Sequence, residues 1–139
     1  MEERLKKQMD FLLEADKAKF IVRQTYLSDG IRKENDAEHS WHLALMAALL
    51  AEYSEEKIDL AKTMLMVLVH DLVEIDAGDT YAYDAVGNQT KRERELKAAE
   101  RIFNILPKDQ AEQLRTLWDE FEEYQTPEAK LDRKSTRLN

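Results

Sequence analysis

The chain holds three histidines, His39, His42 and His70, and no cysteine. Any metal site must therefore be built from imidazole and carboxylate. Two of the histidines sit in "EHSWH". The third opens "HDLVEIDAGD", where His70, Asp71, Glu74, Asp76 and Asp79 fall within ten residues. The run before it, from Met64 to Val69, is apolar almost all round and reads as a buried helix. Burying unpaired charge costs several kcal/mol or forces a pKa shift. A core helix that ends in imidazole and acid needs a reason.

His39, His70 and Asp71 offer two imidazoles and a carboxylate, a donor set suited to a first-row divalent cation. Consecutive helical residues point about 100° apart, so His70 and Asp71 can both reach an ion lying in a groove between helices. Glu74 follows His70 by one turn, where it can act as a base or hold a water beside the ion. Asp79 lies beyond Gly78 in a loop that can turn its carboxylate back over the site. A cation lowers the pKa of bound water, and a neighbouring carboxylate then takes or returns the proton. His42 has no acid at a helpful spacing and reads as a rim residue, and Asp76 as solvated or structural. A lone histidine in an apolar helix also serves as a hydrogen-bonded core residue, so spacing alone leaves the metal and structural readings open.

Helices are what the rest of the chain can supply to position these groups. With 3 glycines and 2 prolines in 139 residues there are few turn signals, and 43% hydrophobic with 36% charged residues describes one globular domain. Leu5, Met9, Leu12, Leu13, Phe20 and Ile21 predict a first amphipathic helix over 2–27. The turn residues Ser28, Asp29 and Gly30 break it. Asp36 is expected to cap a second helix, "AEHSWHLALMAALLAEY". A third, "SEEKIDLAKTMLMVLVHDLVEI", runs back against the second and brings His70 and Asp71 beside His39. Thr90 is expected to cap a fourth helix, Pro107 to open a fifth, and Thr126 with Pro127 to start another. The fold class is all-α, a bundle of five or more helices.

The net charge of −8 argues against binding a nucleic-acid polymer, which draws on clustered Lys and Arg. No apolar run reaches the roughly 18 residues that span a bilayer, so no membrane partner is expected. The start "MEERLKKQMDF" is too charged for a signal peptide. Absent cysteine suits a reducing compartment, and the expected location is cytoplasmic.

The strings "ENDAEHSW" and "MVLVHDLVEIDAGD" resemble the HD-domain metal-dependent phosphohydrolases. "IRKENDAEHSWHLALMA", "HDLVEIDAGDTYAYD" and "LWDEFEEYQTPEAK" are similar to the branch that includes 5′-deoxynucleotidases, and the likeness runs from about residue 15 to 130. The resemblance implies His39 as the first metal ligand, with His70 and Asp71 as the namesake pair. It implies Glu74 and Asp79 as the acids that assist the attacking water and protonate the leaving 5′-oxygen. It likens Arg23 to an arginine that contacts the nucleotide; Arg32 and Lys33 join it as phosphate or substrate-edge contacts on charge grounds. The implied cofactor is a divalent cation, Mn, Co, Fe or Zn. The implied reaction converts a deoxynucleoside 5′-monophosphate and water to deoxynucleoside and phosphate, and the full-length protein is expected to be a homodimer. Two alternatives stay open: another small phosphate as substrate, or a non-catalytic helical module with a vestigial metal site.

In that family the pattern continues past "TPEAK" into a helix bearing a further Asp, the last protein ligand of the metal. Here Asp132 comes several residues too early, and "DRKSTRLN" is what an in-frame translation of a common sequencing-adapter read gives. The HD domain is therefore expected over 1–131, C-terminally incomplete, with 132–139 a non-native tail.

Overall fold

A computed structural model of the chain describes residues 2–78 and 85–131. Asp79 and the expected tail over 132–139 lie outside the described residues. Among those described, the elements in order are α1 (Glu2–Ala15), a 3-10 turn (Asp16–Phe20), β1 (Val22–Tyr26), β2 (Lys33–Asn35), α2 (Asp36–Leu50), a second 3-10 turn (Ala51–Tyr53), α3 (Leu60–His70), α4 (Glu74–Ala77), α5 (Ala85–Phe103) and α6 (Lys108–Glu123). Residues 127–131 are helical again, with the Ala129 N–H donating to Thr126 Oγ1 at 3.3 Å as a cap should receive it. The described residues are helical, with one small hairpin.

That hairpin corrects the first predicted helix, which stops at Ala15 rather than near residue 27. The segment "IVRQTY" is dense in β-branched and aromatic side chains, which fit a strand better than a helix. β1 and β2 are antiparallel, with Val22 opposite Asn35, Tyr26 opposite Lys33 and an irregularity between them. The turn is closed by the Gly30 N–H donating to Leu27 O at 2.8 Å and the Leu27 N–H donating to Arg32 O at 2.9 Å. Gly30 has φ +72°, a left-handed conformation that glycine adopts without a Cβ penalty.

Three helix starts also differ from expectation. Asn35, not Asp36, caps α2: its side chain accepts the Glu38 N–H while the Glu38 carboxylate accepts the Asn35 N–H, both at 2.9 Å, a reciprocal capping box. Asp36 instead opens the helix with its carboxylate buried, only 1% exposed. α3 begins at Leu60 because Asp59 caps it, accepting the Lys62 N–H at 3.2 Å. Thr90 lies inside α5, which is already helical from Ala85.

The main core joins α1, α3, α5 and α6 through Phe11, Met66, Ile102, Phe103 and Trp118. The guanidinium groups of Arg92 and Arg115 lie 5.3 and 5.6 Å from the Trp118 ring centroid, close enough for cation–π attraction. A smaller cluster of Leu43, Ala44 and Val67 locks α2 against α3. This second contact is the one that positions the site.

Candidate metal centre

Leu43 against Val67 sets the register between α2 and α3. His39 lies one turn before Leu43 and His70 one turn after Val67, so the imidazoles meet with ring centroids 6.1 Å apart. Phe121 of α6 closes the other side of His70, with centroids 4.8 Å apart. Asp71 follows as the C-cap of α3, its Oδ2 3.1 Å from His70 Nε2. One donor atom from each of His39, His70 and Asp71 lies within 4.8 Å of the others. Neighbouring ligands on an ion with bonds near 2.1 Å stand about 3 Å apart, the spacing His70 and Asp71 already have.

The protonation state of His39 suits a cation as well. His70 Nδ1 is 2.5 Å from the Val67 carbonyl, which can only accept, so Nδ1 carries a proton and Nε2 is the nitrogen that faces Asp71. His39 Nδ1 lies 3.2 Å from Glu34 Oε1, within ion-pair distance. Burial, aided by the charge of Arg23, pushes the His39 pKa down to about 4. At neutral pH the ring is therefore uncharged, the form that ligates. Burial works to raise the pKa of Asp71, but His70, His39 and Arg23 outweigh it and hold the carboxyl below its ordinary value.

Acids and one arginine surround this cluster. Donor atoms of Asp36, Asp71 and Glu74 form a second group within 4.8 Å of one another. Glu74 belongs to α4 rather than to a continued α3, and the turn over Asp71–Val73 carries it back beside Asp71. Arg23 of β1 places Nη1 3.5 Å from Asp71 Oδ2 and 3.9 Å from Asp36 Oδ1, and Nε 3.4 Å from Glu34 Oε1. These are ion-pair distances rather than short hydrogen bonds, so the guanidinium is held near the site without being saturated by it.

Of the other residues singled out in the sequence, Arg32 forks onto Glu38 at 2.9 and 2.5 Å. Lys33 lies over the Tyr26 ring, 5.8 Å from its centroid. The contacts of both are thus with the hairpin and the first turn of α2, not with the histidine cluster. His42 is exposed and stacked on Trp41, as a rim residue would be. Asp76 takes the fork of Arg101 at 2.5 and 2.8 Å, and Arg101 also reaches Glu14 at 2.6 Å. Sequence reasoning missed Glu34 and the inward-facing role of Asp36. The alternating acids of "ENDAEH", at 34, 36 and 38, were the available signal.

A buried pair of imidazoles with an ionised carboxylate between two helices defines a class: helical domains that carry an interhelical His/carboxylate metal site. Their donor types and burial fit a divalent cation. The chain belongs to the HD-domain family, whose profile matches residues 15–139. It is similar to the human protein 5′-deoxynucleotidase HDDC2, 30% identical over 100 residues, which are 72% of this chain and 48% of that one. A Dictyostelium discoideum protein of the same name is 30% identical over 130 residues, covering 88% and 68%. The chain spans about half to three-fifths of the length of its mammalian relatives. Among solved structures it is similar to a protein described as a predicted metal-dependent phosphohydrolase from Magnetospirillum magnetotacticum MS-1, with 51% identity, a TM-score of 0.87, and coverage of 97% of this chain and 71% of that one.

Proposed function

We propose that the protein is a metal-dependent phosphohydrolase that removes the 5′-phosphate from deoxynucleoside monophosphates. The observation that carries this reading is the gathering of His39, His70 and Asp71 within ligating distance, with Glu74 and Arg23 beside them. The names of the relatives support the substrate class. No helix among the described residues is long and apolar enough to cross a membrane. In keeping with the resemblance, the full-length protein is proposed to work as a homodimer, which light scattering would check.

His39, His70 and Asp71 would hold the cation. When bound, the cation supplies positive charge for the phosphoryl oxygens and makes the attacking water more acidic. Arg23 offers a planar fork of donors that matches phosphate oxygens, and its loose ion pairs let it turn toward them. Glu74 stands next to Asp71, where its carboxylate can take the proton of the attacking water. The water oxygen bonds to phosphorus, the bond from phosphorus to the 5′-oxygen breaks, and that oxygen needs a proton. Asp79 is assigned this last role on the resemblance alone, since it lies outside the described residues.

The test is phosphate release, with Mn²⁺ or Co²⁺ added, from a panel of deoxy- and ribonucleoside 5′-monophosphates. Faster turnover of the deoxynucleotides is expected, abolished by chelation. A chain that binds the cation yet releases phosphate from no nucleotide overturns the assignment.

A further inference from the structure

We propose that Glu34 is a positioning residue of the metal centre, fixing the tautomer and aim of His39 and holding Arg23 beside the same site. The inference rests on the metal-site reading above and deepens it. One carboxylate oxygen does both: Glu34 Oε1 lies 3.2 Å from His39 Nδ1 and 3.4 Å from Arg23 Nε. The side chain is 12% exposed, so the carboxylate is largely withdrawn from water, a cost that only well-placed partners offset.

The hairpin does not need Glu34 in order to meet α2. That junction is already held by the Asn35–Glu38 capping box and by the Asp36 N–H donating to Ile21 O at 3.0 Å. What Glu34 adds is specific to the site. A metal-binding histidine usually donates its second ring N–H to a carboxylate or carbonyl, which orients the ring and strengthens the ligand. His70 uses the main-chain carbonyl of Val67 for this, a partner no side-chain substitution removes. His39 uses Glu34. The same carboxylate also draws the Arg23 guanidinium toward β2; without it the cation of Arg23 would settle closer to Asp71 and compete with a metal ion there. Both effects of losing Glu34 weaken metal binding.

The experiment compares the whole wild-type chain with Glu34→Ala and Glu34→Gln. Imidazole ¹⁵N shifts of His39, assigned with a His39→Gln variant, report the tautomer in the metal-free protein. Titration with Co²⁺, followed by its visible absorption, reports affinity and ligand geometry. The wild type is expected to hold the Nδ1–H tautomer. Glu34→Ala is expected to lose that preference and to bind Co²⁺ about 10–100-fold more weakly, with the melting temperature of the metal-free protein unchanged. Glu34→Gln, whose amide oxygen still accepts from Nδ1, should restore the tautomer and most of the affinity. An Nε2–H tautomer in the wild type overturns the proposal even if the alanine variant does not fold, as does an alanine variant that folds and keeps wild-type tautomer and affinity. If the wild type takes up Co²⁺ no better than His70→Ala, the metal reading itself fails, while the metal-free tautomer measurement still decides the part played by Glu34.

Discussion

His70 Nε2 and Asp71 Oδ2 approach to 3.1 Å although the residues are consecutive. On a regular helix their side chains would diverge by about 100°. α3 ends at His70, and Asp71 has φ −96° and ψ −1°, in the sparsely used bridge region where many site residues sit. The backbone turn swings the carboxylate back toward the imidazole it follows. Because the two converge on one point, His70→Ala and Asp71→Asn should each weaken Co²⁺ binding by more than about 100-fold, beyond the loss typical of an outer partner. Calorimetric titration of both variants checks this, and wild-type affinity in either would remove that residue from the ligand set.

Arg23 has two opposed relationships to the site. Its Nη1 lies 3.5 Å from Asp71 Oδ2, where its charge repels an incoming cation, and it is also the donor proposed for the phosphate. Arg23→Gln should therefore bind Co²⁺ several-fold more tightly while raising the KM for a nucleotide about 10–100-fold, the worth of a charge-assisted hydrogen bond. Measuring both constants on one preparation separates this from general damage, which would weaken both.

The helices and the His-Asp pair were legible because they depend on local pattern: apolar periodicity in α3, few breakers, and ionisable residues where a core helix should have none. The hairpin was not. Phe20 and Ile21 continue the apolar spacing of α1, and only pairing with β2, a tertiary event, tips "IVRQTY" into a strand. Glu34 was hidden for the same reason, since its neighbours His39 and Arg23 come together only when β1 and β2 pair. Asp36 looked like a cap because Asn35, one residue earlier, could not be told from it by residue type alone. Arg32 and Lys33 stand out in the sequence by charge alone. In the fold they turn to Glu38 and Tyr26, contacts that charge alone does not indicate.

Arg101 connects the site to the bundle. It clamps Asp76 of α4 with two hydrogen bonds and reaches Glu14 of α1 with a third, so the helical turn that carries Glu74 is tied to two long helices. An exposed ion pair of this kind is worth about 1 kcal/mol or less in stability. Its larger effect should be on geometry. Arg101→Ala is expected to lower kcat several-fold, with little change in melting temperature or Co²⁺ affinity, because His39, His70 and Asp71 are placed by α2 and α3. A variant with unchanged kcat would show that α4 holds Glu74 unaided.

Glu38 gives the start of α2, and with it His39, a dependence on acid. The Arg32 guanidinium, and then the Asn35 N–H, lower its pKa from 4.5 to about 2. A carboxylate whose folded pKa is depressed contributes stability that is complete above its unfolded pKa and disappears as pH falls through the folded one. The window is therefore pH 4.5 down to about 2. Glu38→Gln isolates the charge, because glutamine can still close the capping box with Asn35. The variant should melt at a lower temperature than the wild type near neutral pH. The gap should narrow below pH 4.5 and close near pH 2. Circular dichroism melts across that range measure it directly. A gap that stays constant with pH would mean that glutamine disturbs the box itself and that the Arg32–Glu38 pair adds nothing to the helix start.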